Sequence, residues 1–300
     1  MLLYGLLFIA TLICGVGYYF RKSRKTQPQA TITRHIPYNG GTPVFDPKMF
    51  FGRQELITTV FDGIAEKNFA IVGDFRMGKT SILRRLLEAI PQINHPEKKY
   101  FPLLIDMQFA EGVRNSSDFF SFLGRMVMDW AKQNSPNTKP GWKTDENYTE
   151  ADFESDLKAI QAALQAEGEK QPVIALLVDE FTITEGYPDD TLGKLRTLLE
   201  SMASLRIVVA GPRVPKQWQG FLSELTVETF TAEEARALIV EPMKDAFSFD
   251  DNAIELMLSH TGRRPLELNR LCLDIIHNKR NQTNGTVHIT RADVEAVIKK

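Results

Sequence analysis

The stretch that decides the fold is Gly73-Asp74-Phe75-Arg76-Met77-Gly78-Lys79-Thr80, with the apolar run FAIV before it and SILRRLL after it. The pattern G-x4-G-K-[ST] between a strand and a helix is typical of a nucleotide-binding P-loop. The glycines let backbone N–H groups turn inward onto a phosphate, Lys79 supplies a positive charge for the β- and γ-phosphates, and Thr80 supplies a hydroxyl for Mg²⁺. Chance produces this pattern in roughly one chain of this length in a hundred. The sequence therefore predicts that these eight residues and Ser81 bind a nucleoside triphosphate.

A second acidic site follows an unbroken apolar run. Residues 173–178, VIALLV, read as a central parallel strand that is buried on both faces, and the strand ends in Asp179-Glu180. Open α/β sheets place their ligands at the carboxyl ends of their strands. We therefore expect Asp179 to join Thr80 in holding Mg²⁺, and Glu180 to orient the attacking water beside Lys79. The alternative is that these acids merely end a strand in solvent.

The N-terminus predicts a membrane anchor. Residues 2–20 carry no charge, and as a helix they would run about 28 Å, close to the hydrocarbon thickness of a bilayer. Four basic residues follow at once and mark the C-terminal side as cytoplasmic: Arg21, Lys22, Arg24 and Lys25. A cleavable signal peptide is the alternative, but it requires a basic n-region and a small-x-small cleavage site. We expect a single-pass protein of a prokaryotic plasma membrane, with its nucleotide site in the cytoplasm.

Composition limits the function classes. With 300 residues and average hydrophobicity the chain suits one or two globular domains, and its two cysteines exclude a disulfide framework. Four of the 36 Lys and Arg residues form the juxtamembrane cluster, so 32 remain against 38 acidic residues, a net charge near −6. Such an acidic body gives no reason to expect a nucleic-acid partner. The five histidines have no metal-ligand spacing, so Mg²⁺ is the only metal implied.

The pattern of predicted elements divides the chain into four segments. Residues 1–25 are the predicted anchor with its basic flank, and residues 26–49, rich in Pro and Gly, are a predicted linker. Strands and helices alternate over 50–230, which predicts an α/β domain with a parallel sheet. Residues 231–300 are predicted to be helical, beginning with a capping box at Thr231, apart from one short strand near 285–290.

Five features carry a resemblance to a known family: Phe51-Gly52-Arg53 with Glu55, Arg76 two residues before Gly78-Lys79-Thr80, the ending Asp179-Glu180, the ending Gly211-Pro212-Arg213, and Thr261-Gly262-Arg263-Arg264-Pro265. Over about residues 50–300 the chain resembles the prokaryotic AAA-like ATPases grouped as archaeal ATPase-like or STAND NTPases. Glu55 lies one position earlier than in that family's N-terminal box.

The resemblance implies a sheet of order 5-1-4-3-2, followed by a small helical lid, partly winged-helix-like, that folds over the adenine. It also implies individual roles. Gly52 and Arg53 would lie near the base or ribose, Pro265 would pack on the nucleotide, and Arg213 would report the γ-phosphate as a catalytic residue. The alternatives are an Arg213 that merely faces solvent and a Pro265 that merely starts a helix.

These observations lead to an expected function with two alternatives. The first expectation is a membrane-anchored ATPase that uses ATP and Mg²⁺ as a switch for an unidentified protein partner, or for self-association. One alternative is a nucleotide-binding module with little turnover. The other is an initiator-like or ExeA-like ATPase that acts on DNA or a secretion apparatus. The Asp179-Glu180 pair favours hydrolysis over mere binding, and the acidic body disfavours DNA.

Overall fold

The computed structural model describes residues 36–110, 112–134, 148–168, 170–279 and 286–299. The predicted membrane span at 2–20 and its basic flank lie outside these ranges. Among the described residues, no helix combines the length and the apolar character that crossing a membrane requires.

The central sheet has five strands: β1 (Phe69–Val72), β2 (Lys98–Asp106), β3 (Gln171–Asp179), β4 (Leu205–Gly211) and β5 (Ser223–Thr226). The strands lie in the order β2-β3-β4-β1-β5, and every pair is parallel. This confirms the predicted order 5-1-4-3-2 and the α/β class.

Helices cover both faces of this sheet: α1 (Gln54–Gly63), α2 (Lys79–Ala89), α3 (Ser116–Asn134), α4 (Glu150–Ala166) and α5 (Asp189–Ser201). Alternate side chains of β3 enter two different cores. One core includes helices α3, α4 and α5, and receives Ile174, Leu176 and Val178. The other includes α1 and α2, and receives Val173, Ala175 and Leu177. Burial on both faces explains why the sequence of β3 is an unbroken apolar run.

The C-terminal part, called the lid below, has its own core. Its elements are α6 (Ala232–Val240), β6 (Phe247–Phe249), α7 (Asp251–Thr261), α8 (Pro265–Lys279), β7 (Val287–Ile289) and α9 (Arg291–Ile298). The prediction of a single short strand after residue 230 was wrong, because β6 pairs in parallel with β7. A three-residue strand whose partner lies forty residues away shows no periodicity that a local pattern could reveal.

Residues 36–49, called the strap below, pack against the body, whereas the sequence predicted a linker over 26–49. Tyr38 is buried in the lid core, and its hydroxyl donates a hydrogen bond to the carbonyl of Ile239 at 2.7 Å. Farther along, the N–H of Val44 donates to the Ser81 hydroxyl on α2 at 3.0 Å. Proline and glycine keep the strap irregular, but its Tyr38 and Met49 side chains are still buried. The strap therefore contacts both the lid and the P-loop helix.

Candidate nucleotide site

The P-loop joins β1 to α2 in a conformation that needs its glycines. Gly78 has φ 91°, in the left-handed region, and the helix begins at the next residue. Gly73 needs to lack a side chain for a different reason, since a Cβ there would lie 2.8 Å from the carbonyl oxygen of Val227. This places the loop directly at the carboxyl ends of β1 and β5.

Lys79 is the cation of this loop. Its Nζ donates to the carbonyl oxygens of Gly73 and Asp74, at 2.8 Å each, and the residue is only 8% exposed. Burial lowers the pKa of Lys79, while the charges of Glu180, Asp179 and Asp74 act in the opposite direction. The ammonium group is thus already held inside the loop, where a phosphate can compete with the two carbonyls for its hydrogen bonds.

Thr80 and Asp179, the two predicted magnesium ligands, touch each other. The hydroxyl of Thr80 donates to Asp179 Oδ2 at 2.6 Å, and Asp179 Oδ1 accepts the backbone N–H of Glu180 at 3.0 Å. Asp179 is 5% exposed, and its burial raises its pKa despite these two hydrogen bonds. A hydroxyl and a carboxylate are oxygen ligands that suit Mg²⁺.

Glu180 lies next to this pair in a strained backbone conformation. Its φ is 52°, in the left-handed region that is uncommon for a residue with a side chain. Burial raises the pKa of Glu180, and the charge of Asp179 raises it further, while Lys79 acts to lower it. Strained residues of this kind cluster at functional sites. A carboxylate with a raised pKa beside an ammonium group is suited to accept a proton from water.

Asp106 is a third carboxylate, and sequence reasoning missed it. It ends β2 and pairs in register with Asp179 at the end of β3. Its charge raises the pKa of both Asp179 and Glu180. The available signal was an aspartate near the end of the apolar run YFPLLIDM at 100–107, because the carboxyl ends of neighbouring parallel strands meet at one edge.

The P-loop opens into a cavity of about 320 Å³ between the strap, the central domain and the lid. Of the predicted site residues, the cavity brings together Arg53, Phe75, Arg76, Met77, Gly78, Lys79, Thr80, Ser81, Glu180 and Pro265. It also has walls that the sequence did not predict, which include Asn39, Thr42, Pro43, Val44, Met49, Phe50, Phe230, Leu238, Asn269 and Arg270. One part of the cavity is therefore polar and cationic, and much of the rest is apolar.

Gly52 and Arg53 connect the central domain to the lid. Both have positive φ, 63° and 64°, and a Cβ on Gly52 would lie 2.6 Å from the carboxylate of Glu234. The Arg53 guanidinium lies 4.8 Å from the centre of the Phe230 ring and donates to the carbonyl of Glu228. Burial lowers the pKa of Arg53. The missing side chain of Gly52 thus leaves room for the Glu234 carboxylate, while Arg53 forms part of the cavity wall.

The lid also contacts the P-loop directly. Arg264 forms an ion pair with the Asp74 carboxylate at 2.6 Å, and Pro265 follows it as the first residue of α8. The two residues before them, Gly262 and Arg263, both have positive φ. This turn brings Pro265 to the cavity wall.

Arg213 does not line the nucleotide cavity. It forms an ion pair with Glu185, with 3.1 Å between Arg213 Nε and Glu185 Oε1, and its side chain is 66% exposed. Together with Lys216 it lines a separate cavity of about 430 Å³. The guanidinium is bound to Glu185 in this arrangement, and its contact with a γ-phosphate stays a prediction.

Solved structures share this architecture. The chain matches a Walker-type ATPase of Pyrococcus abyssi with a TM-score of 0.63 and 15% identity, over 88% of this chain and 74% of that one. It shares that protein's fold. It also matches Cdc6p of Pyrobaculum aerophilum, with a TM-score of 0.53 and 16% identity over 87% and 70% of the two chains. A third match is the ORC1 protein of Aeropyrum pernix in complex with DNA, with a TM-score of 0.52 and 15% identity over 84% and 66%.

The chain matches no protein-family profile and no curated protein sequence. At these identities the structural likeness establishes a P-loop ATPase fold and nothing finer.

Proposed function

We propose that this protein binds ATP with Mg²⁺, hydrolyses it, and acts as a STAND-like switch anchored in a membrane. The observation that carries the proposal is the 2.6 Å hydrogen bond between the Thr80 hydroxyl and the Asp179 carboxylate, beside Lys79 and Glu180. Thr80 and Asp179 are 99 residues apart in the chain. The fold nevertheless brings together the groups that phosphoryl transfer requires.

Each residue has a chemical task in this proposal. Lys79 binds the β- and γ-phosphates and neutralises charge that develops on them. Thr80 and Asp179 hold Mg²⁺, which when bound neutralises phosphate oxygens through its own charge. Glu180 holds the attacking water by accepting a hydrogen bond from it. Asp106 adds negative charge beside Glu180 and thereby keeps the Glu180 carboxylate a good proton acceptor.

A second candidate is a nucleotide-binding module with little turnover. The position of Arg213 favours it, because this arginine is bound to Glu185 and lines a different cavity. A second cation at the γ-phosphate typically accelerates hydrolysis by orders of magnitude. Slow turnover in the absence of a partner is therefore expected under either candidate.

The membrane part of the proposal rests on the sequence. The uncharged stretch 2–20 and the basic cluster that follows it support an anchor with the body on the cytoplasmic side, where ATP is available. A switch at that position would recruit or release a protein partner, or a second copy of the chain, according to its nucleotide.

The deciding experiment uses the full chain in lipid nanodiscs. Calorimetry should show ATP binding that strengthens with Mg²⁺, and Thr80→Val should remove this strengthening while leaving the fold intact. A phosphate-release assay separates the two candidates, because measurable turnover that Glu180→Gln abolishes supports the ATPase. ATP binding with no turnover, even with membranes and any protein partner recovered from them present, would support the module. Failure of the wild-type protein to bind ATP would reject both.

A further inference from the structure

Two side-chain amides line the nucleotide cavity among apolar residues. Asn39 comes from the strap and Asn269 from α8, and their neighbours in the cavity wall include Met49, Phe230 and Leu238. Apolar walls with a few polar groups are typical of sites for flat organic ligands, in which the polar groups set specificity.

Hydrogen bonds fix which way each amide points. The backbone N–H of Asn39 donates to Asn269 Oδ1 at 2.9 Å, and only the oxygen of an amide can accept. The Asn39 Nδ2 group donates to the carbonyls of Thr42 at 3.1 Å and Pro43 at 3.4 Å. This leaves Asn269 Nδ2 as a donor and Asn39 Oδ1 as an acceptor, and neither has a hydrogen-bond partner among the described residues.

The burial of Asn269 limits where its unused donor, Nδ2, can form hydrogen bonds. Asn269 is only 8% exposed, and it lines the cavity, so the cavity is where its remaining hydrogen bonds can be made. Its Nδ2 atom is not among the enclosed atoms that lack a partner, so it stays open to the cavity, and a ligand acceptor can replace water there.

We propose that Asn39 Oδ1 and Asn269 Nδ2 recognise the base, and that together they select adenine over hypoxanthine and guanine. The inference rests on the proposed function, since it assumes that the cavity holds a nucleotide. Adenine presents a 6-amino donor beside a ring-nitrogen acceptor, which complements an acceptor beside a donor. Hypoxanthine and guanine carry a carbonyl oxygen at position 6, which would face Asn39 Oδ1 as a second acceptor.

The test compares nucleotides on the unmodified full chain, so that it does not depend on a variant folding. Calorimetry with Mg²⁺ should give an affinity for ATP at least about tenfold higher than for inosine triphosphate, because one hydrogen bond is lost and an unpaired acceptor is buried. Equal affinities for the two would overturn the inference while leaving the proposed function standing. Absence of binding by either triphosphate would overturn both.

Variants then assign the selection to the two amides. Asn269→Asp keeps the oxygen that holds the strap but removes the donor, so ATP affinity should fall about tenfold or more with the strap still docked. Asn39→Ala should reduce the preference for ATP over inosine triphosphate to about twofold. Asn278→Ala is the matched control, because Asn278 is exposed on the same helix and does not line the cavity. An ATP preference that survives Asn39→Ala unchanged contradicts the assignment.

Discussion

At the scale of single residues, Lys79 is the group on which nucleotide affinity should depend most. We expect Lys79→Ala to lower ATP affinity about tenfold to a hundredfold, because a charge-assisted hydrogen bond is worth about 1.5–3 kcal/mol. Calorimetry measures the effect, and Lys67→Ala, which removes an exposed lysine outside the loop, is the control. Unchanged ATP affinity in Lys79→Ala would reject the P-loop assignment.

Glu180→Gln should separate binding from hydrolysis. ATP affinity should change little, while turnover should fall on the order of a hundredfold or more, as expected when a proton acceptor is lost. The variant also has a stability signature. Burial and Asp179 raise the pKa of Glu180 above its ordinary 4.5, so the ionised carboxylate destabilises the nucleotide-free fold.

That destabilisation is absent below the ordinary pKa, and it is fully present once the pH exceeds the raised pKa. Glu180→Gln should therefore melt higher than the wild type at pH 7, and the two melting temperatures should converge near pH 4. A variant that melts lower at pH 7 would contradict the assigned environment of Glu180.

Arg213 was predicted to contact the γ-phosphate from its sequence motif, and its effect on ATP affinity can be measured. Because it pairs with Glu185 outside the nucleotide cavity, we expect Arg213→Ala to change ATP affinity by less than about twofold. The loss of an exposed ion pair should cost at most about 1 kcal/mol of stability. Titration of ATP into both proteins provides the measurement. A loss of affinity comparable to that of Lys79→Ala would mean that Arg213 reaches the nucleotide once it is bound.

At the scale of elements, the strap is held by a few specific bonds. Tyr38→Phe removes the hydroxyl that donates to Ile239 and leaves a buried carbonyl without this partner. We expect a loss of about 1–2 kcal/mol in the free energy of unfolding, measured by urea denaturation. Tyr187→Phe is the matched control, because the buried Tyr187 hydroxyl has no hydrogen-bond partner among the described residues. Equal effects of the two changes would count against a docked strap.

The elements also show what the sequence could reveal. The strand that ends in Asp179 was predictable, because burial on both faces leaves an apolar run that is visible locally. The P-loop was predictable because its chemistry fixes residue types at fixed spacing. The order of the strands came from the family resemblance, since pairing between distant segments leaves no local mark.

Other parts of the site have no sequence pattern from which their position could be predicted. The strap contacts residues about 200 positions away, as the bond from Tyr38 to Ile239 shows, so its Pro and Gly content suggested only a linker. The Arg213 side chain forms an ion pair with Glu185, and no sequence motif identifies this partner. Asn39 and Asn269 are ordinary surface residue types, and they became candidates only because the fold brings them together in one cavity.

At the scale of the whole molecule, the strap sets where the chain can be shortened. A protein without residues 1–35 should remain folded and bind ATP, because it keeps the buried Tyr38 and the cavity wall. A protein without residues 1–49 should be less stable and bind ATP more weakly, because it loses the buried Tyr38 and part of the cavity wall. Thermal unfolding with and without ATP compares the two. Identical melting curves and ATP affinities would mean that the strap contributes nothing.

The length of chain before Asn39 limits how far the nucleotide site can lie from the membrane. With residues 2–20 in the membrane, as the sequence predicts, the chain from Arg21 to Asn39 spans at most roughly 65 Å, because a fully extended residue covers about 3.3–3.6 Å. Asn39 is in the wall of the nucleotide cavity, so the site would stay within that distance of the bilayer surface. A partner would have to come to the membrane to meet it. Tension on the anchor would first reach Tyr38, which is bound to the lid, and then Asn39 in the cavity wall.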